Sequence, residues 1–172
     1  MIFKTMIFTL FLALNLYAID VGEVPKNVTI SGDDGGSVVD NSAWSASSIK
    51  DKVYVMFYVD PDEKDTNEEF SHALKAKHYD RANYGSIAIV NLAATWKPNF
   101  IIESILKSKQ EEFPDTIYVK DKNKVLVKEW GIADDASDIL IFSKTGKVLF
   151  YKVGAMSKED MQKAFKIIKE NL

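Results

Sequence analysis

The chain has 172 residues, 47% of them hydrophobic and 12% aromatic, with a net charge of −3. That length suits one globular domain, and the apolar content is too high for a disordered chain. The acidic balance argues against nucleic-acid recognition, which usually shows a basic patch or a basic pI. Cysteine is absent. Disulfides, thiolate metal sites, cysteine nucleophiles and thiol redox steps within this chain go with it.

Residues 1–18 carry one cation, Lys4, ahead of an apolar run from Met6 to Leu14, and end on Ala18. The run is shorter than the roughly 20 residues that span a bilayer. It reads as a signal peptide cleaved after Ala18, with an uncleaved anchor or a buried N-terminal helix as the alternatives. Residues 19–172 are then the domain. It is expected in the periplasm, with no stable membrane span once the signal is removed.

Ser31–Ser37 is a turn-forming cluster of Gly, Asp and Ser, expected to join short runs at Asn27–Ile30 and Val38–Val39 as a hairpin or strand pair. Ser42–Ser48 around Trp44 reads as a loop or short helical turn. Val53–Val59 is the strongest strand, continuously apolar and β-branched or aromatic, as a strand covered on both faces is. Asp60-Pro61 ends it. Thr66-Asn67-Glu68-Glu69 has the capping-box pattern and predicts a helix from there to about His78. Ile87–Leu92 is a second apolar strand, so strand, helix and strand form a parallel βαβ unit.

A second helix is predicted over Asn99–Glu112, closed by Pro114, and a third strand over Thr116–Val119. Lys120–Lys124 reads as a polar turn. Val125–Trp130, followed by Gly131, reads as a short helix with a glycine C-cap. Ile139–Phe142 and Val148–Val153 flank Ser143–Lys147 as a hairpin with Gly146 at the left-handed position. Ser157 caps the last helix, whose apolar positions are Met161, Ala164, Phe165, Ile168 and Leu172.

A βαβ half followed by a ββα half resembles the thioredoxin fold: an α/β domain with a central mixed β-sheet flanked by helices, here with an N-terminal extension. The chain also resembles the YtfJ family of small exported bacterial proteins. The resemblance rests on Lys50–Val59, Asn91–Pro98, Phe113-Pro114, Glu129-Trp130, Ser137, the hairpin and Gly154-Ala155, in that order. It implies no established activity. In redox-active thioredoxin relatives a C-x-x-C motif follows the first central strand and a cis-proline precedes the hairpin. The matching places here hold Asp60–Asp65 and Ser137. Redox chemistry is thus missing at the place where the fold would carry it.

Two functional readings follow. The first is a non-catalytic periplasmic protein that uses the former redox edge, with Asp60, Asp62, Asp65, Trp96 and Ser137, to bind an unidentified protein or small ligand. No cofactor and no nucleic acid are expected. The second is a non-thiol enzyme or metal binder built on the acidic loop Asp60–Asp65 with His72, since carboxylates suit hard cations. Against it, an EF-hand register puts Lys64 at a ligand position, Asp65 at the turn glycine and Ser71 at the bidentate glutamate. Acids before a helix also have a plainer use, complementing its dipole. A deep pocket in which His72 meets two carboxylates would favour the second reading. A shallow face rimmed by Trp96 would favour the first.

Overall fold

The computed structural model describes residues 19–172; the expected signal peptide, residues 1–18, lies outside them. Eight strands are described: β1 (Thr29–Ile30), β2 (Gly35–Ser37), β3 (Trp44–Ser45), β4 (Val53–Val59), β5 (Tyr84–Asn91), β6 (Thr116–Asp121), β7 (Ser137–Phe142) and β8 (Val148–Lys152). Four helices accompany them: α1 (Glu68–Lys75), α2 (Asn99–Glu112), α3 (Val125–Trp130) and α4 (Lys158–Asn171). Six strands form a mixed sheet in the order β2-β6-β5-β4-β7-β8. β4, β5 and β6 run parallel, while β2, β7 and β8 pair antiparallel with their neighbours. This is the thioredoxin-like architecture expected from the order of elements.

Alternation along the strands sends side chains to two cores. Val53 and Val55 of β4 and Ile139 and Ile141 of β7 pack against Phe70 and Leu74 of α1 and Met161, Ala164 and Ile168 of α4. On the opposite face, Met56, Ile87, Ile89, Leu140 and Phe142 meet Leu126 and Trp130 of α3. Val28, Ile30, Trp44 and Ile49 of the N-terminal segment close that layer. α2 seals a smaller cluster through Ile102 and Leu106, against Val38, Val90 and Leu92.

Several expectations hold in detail. β4 and α2 have the expected bounds. Gly131 takes the left-handed conformation after α3, and Gly146 does so in the β7–β8 turn. Ser157 and Asp160 form a reciprocal capping box on α4.

Others are corrected. The Ser31–Ser37 cluster does not close a hairpin onto Val38–Val39. β1 pairs with β3 instead, and Gly35–Ser37 becomes an edge strand of the main sheet, Gly35 opposite Asp121. A Cβ on Gly35 would stand 2.0 Å from the Lys120 carbonyl oxygen, so the glycines are what allow this backbone to close on β6. α1 stops at Lys75, short of His78, which lies beyond it at a positive φ of 48°. Thr66 does not cap α1: its hydroxyl donates to Glu63 Oε2 (2.6 Å), and the N-cap residue is Asn67. β5 and β7 begin earlier than the apolar runs suggest, and β6 continues through Lys120 and Asp121 into the expected turn.

Candidate functional site

The former redox edge is assembled from three loops at the carboxyl ends of the parallel strands. As β4 ends, the Asp60 N–H donates to the Ala136 carbonyl (2.9 Å), tying the first loop to the entry of β7. The buried Asp60 carboxylate accepts from the Asp62 N–H (2.8 Å), which shapes the single turn Pro61–Glu63. Burial holds the Asp60 carboxyl above the usual aspartate range, and the charges of Asp62, Asp135 and Glu63 act in the same direction.

Asp62 ties this loop to the one after β5. Its Oδ2 accepts from the Thr95 hydroxyl (2.8 Å), and its Oδ1 is paired with Lys97 Nζ. Those two bonds, Lys97 first, hold the Asp62 carboxyl below its usual range. Thr95 Oγ1 in turn accepts from the Lys97 N–H (3.3 Å). Trp96, between the two anchored residues, is 86% exposed. The result is an open surface with an aromatic side chain beside an ion pair.

The five residues expected at this edge do not play one part. Asp62 and Trp96 are accessible and adjacent along the edge. Asp65 is exposed and paired with Lys64. Asp60 and Ser137 are buried. The Ser137 hydroxyl and carbonyl both accept from Asn67 Nδ2 (3.0 and 3.1 Å), so its hydroxyl is spent on the scaffold. His72 lies on the exposed side of α1, with Glu68 Oε1 3.8 Å away. Among the described residues, no group of three or more His, Asp or Glu side chains is placed to hold a metal ion.

A polar group that sequence reasoning did not assemble lies behind this edge. Tyr58, Asn91 and Asp121 stand at the carboxyl ends of β4, β5 and β6, and Asp138 at the start of β7, on the face that α3 covers. All four are buried. Asp121 accepts four hydrogen bonds: from the Tyr58 phenol (3.0 Å) and from the N–H groups of Asn123 (3.2 Å), Val125 (2.9 Å) and Leu126 (3.1 Å). It thereby supplies the acceptor for the first amides of α3, whose N-cap residue Lys124 has no capping side chain. Asp138 Oδ2 accepts from the Ala133 N–H (3.0 Å) and the Tyr151 phenol (3.0 Å). Asn91 donates to Asp134 Oδ1 (3.0 Å), and Lys124 pairs with Asp134 Oδ2 (2.6 Å). Burial pushes the Asp138 carboxyl up to about 6. The one signal for this group in the sequence is a polar residue closing or opening each apolar run.

A family model for bacterial proteins of unknown function, YtfJ_HI0045, matches residues 24–171. The chain belongs to the YtfJ family. An uncharacterised relative from Haemophilus influenzae is 28% identical over 129 residues, covering 73% of this chain and 70% of the relative. The uncharacterised YtfJ protein of Escherichia coli is 24% identical over 132 residues, covering 75% and 72%. Among solved structures, a peroxiredoxin-like protein from Aquifex aeolicus superposes with a TM-score of 0.59 at 14% identity, over 88% of this chain and 89% of that one. A thiol-disulfide isomerase from Corynebacterium glutamicum gives 0.58 at 14% identity, over 83% and 93%. At such identities the likeness is one of fold. This YtfJ-family chain has the thioredoxin-like scaffold and no thiol to run thiol chemistry on it.

Proposed function

We propose that this YtfJ-family protein is an exported, non-catalytic binding protein of the periplasm. It would recognise a protein or small ligand through the edge formed by Asp60–Asp65, Thr95–Pro98 and Ala136–Asp138. The observation that carries the reading is Trp96, exposed on a loop that Asp62 pins through Thr95 and Lys97. An exposed tryptophan on an ordered loop is the residue type that anchors interfaces. In α/β proteins the carboxyl ends of parallel strands are where ligands are bound.

Capture from a periplasmic extract tests it, with wild-type protein compared with the Asp62→Ala, Asp65→Ala, Trp96→Ala triple variant. Wild type is expected to retain a partner that the variant loses. Equal capture by both overturns the edge. Export is read separately, from cell fractionation and from the N-terminal residue of the purified protein, expected to be Ile19.

A further inference from the structure

The edge runs into α2, and α2 is apolar on two sides. Ile102 and Leu106 face the core. Phe100, Ile101 and Ile105 are 72%, 42% and 48% exposed, and Trp96 stands just ahead of them. A surface helix ordinarily buries one apolar stripe and turns polar residues outward; a helix apolar on both sides belongs between two layers. At 100° per residue, Ser104 points directly away from Ile102 and Leu106, Phe100, Ser108 and Ile101 lie within about 60° of that direction, and Ile105 stands at the margin, about 60° from Ile102.

We propose that this outer face is a homodimer interface, in which α2 packs antiparallel against α2 of a second copy about a two-fold axis between Glu103 and Ser104. A second copy fits because the face is complementary to itself, as an isologous contact requires. Positions equidistant from the axis on the same flank meet. On one flank Ile101 meets Ile105 of the second copy, twice over. On the other flank Phe100 meets Lys107 of the second copy, setting an ammonium over an aromatic ring. Ser104 and Ser108 between the flanks are small enough to let the helices approach.

Charge agrees with this register. Lys107 and Glu111 take part in no ion pair among the described residues. The antiparallel arrangement carries Glu111 to the N-terminal end of the other α2, where the helix dipole favours an anion.

Area sets the strength. With roughly 150–250 Å² presented by each aromatic side chain, Trp96, Phe100 and the two isoleucines expose on the order of 450 Å² per copy. That lies within the range of the largest apolar patch on a typical monomer, a patch that is often functional. Pairing two such patches, with the flanking lysines and glutamates, reaches about 1,000 Å², the low end of specific interfaces. The dimer is therefore a weak one, forming in the micromolar range. It shares Trp96 with the proposed binding edge, so the two are separated by variants that leave Trp96 in place.

Sedimentation velocity of the protein from about 5 to 200 µM spans that range of dissociation constants. The mass is expected to rise from monomer to dimer. Phe100→Glu and Ile105→Glu should each weaken association at least tenfold with an unchanged circular-dichroism spectrum. Val153→Glu, at an exposed apolar site on the β8 side, should not. A wild-type protein that stays monomeric at the highest concentration overturns the proposal, as does a dimer indifferent to both α2 variants. Phe100→Glu and Ile105→Glu leave Asp62, Asp65 and Trp96 in place and should still capture the periplasmic partner, so failure of the edge and failure of the dimer are read separately.

Discussion

The Tyr58 phenol donates to Asp121 Oδ2 at 3.0 Å, a bond that reaches from β4 across β5 to the end of β6. Both residues are buried, and Asp121 also receives the backbone amides that begin α3. The helix that covers this face of the sheet is thus fastened by a carboxylate from the sheet itself. Tyr58→Phe removes one donor and leaves Asp121 three others, costing about 1 kcal/mol. Asp121→Ala strands buried amides and a phenol together, costing about 3 kcal/mol or more. Urea denaturation followed by fluorescence of the buried Trp130, which lies on α3, should rank the two variants in that order.

Asp138 makes stability depend on pH. Its carboxyl sits at about 6 in the folded protein against 3.8 in the reference state, because burial disfavours the charge. Facing it are Tyr58 from β4, Tyr151 from β8 and the N–H groups of Ala133 and Gly154. The folded state holds this proton more tightly than the unfolded chain does. The contribution to stability is complete below pH 3.8 and is lost as pH rises through about 6. At 1.36 kcal/mol per unit, the loss amounts to about 3 kcal/mol. Asp138→Asn keeps an acceptor for Ala133 and Tyr151 and has no such proton to lose. The difference in urea midpoint between variant and wild type should therefore shift in the variant's favour from pH 4 to pH 7. A constant difference would refute the assignment.

Most of the fold was legible because the strands are short apolar runs and the helices carry strong end signals. Val53–Val59 could be little else, and Gly131 and Gly146 mark turns that only a left-handed residue closes comfortably. What escaped notice depended on contacts distant in sequence. Gly35–Ser37 has no strand propensity and becomes a strand because β6 offers it an edge. Thr66 looks like a cap by local pattern, yet its hydroxyl goes to Glu63 and the helix begins one residue later, after Asn67. At the edge, Asp62 and Trp96 were legible as exposed loop residues. The burial of Asp60 and Ser137 was not, because it is imposed by Ala136 and Asn67 from other segments. The group of Tyr58, Asn91, Asp121 and Asp138 needs the strand order before its members become neighbours.

Gly35→Ala tests whether β2 is held by close backbone approach. Gly35 has a φ of 123°, and the added methyl would meet the Lys120 carbonyl. The backbone cannot relieve this by rotating a side chain, so β2 must move off β6. Strain of this kind costs on the order of 1–3 kcal/mol. Hydrogen exchange should show faster exchange at amides of the β2–β6 ladder, with protection in β4 and β7 retained. Unchanged protection along β6 would mean that the edge strand tolerates the methyl.

Asn67 is the residue on which the scaffold behind the edge depends most. Its Nδ2 lies within hydrogen-bond reach of the Ser137 carbonyl (3.1 Å), the Ser137 hydroxyl (3.0 Å) and the Gly154 carbonyl (3.1 Å). Its Oδ1 accepts from the Met156 N–H (2.9 Å). One buried amide thus joins the start of α1, the start of β7 and the loop between β8 and α4, and this explains why it makes no capping bond to its own helix. Asn67→Ala loses those bonds and leaves their partners unpaired, a cost of about 2–3 kcal/mol. Asn67→Asp, nearly the same shape, keeps the acceptor for Met156 but turns the donor into a second carboxylate oxygen facing two carbonyls. A buried, uncompensated charge costs more than a missing side chain. Asn67→Asp is therefore expected to be the less stable of the two at pH 7 and to recover part of the difference as acid protonates it. Thermal unfolding of both variants at pH 7 and pH 4.5 checks this. If Asn67→Asp matched wild type at neutral pH, the donor side of the amide would not be what holds these three segments together.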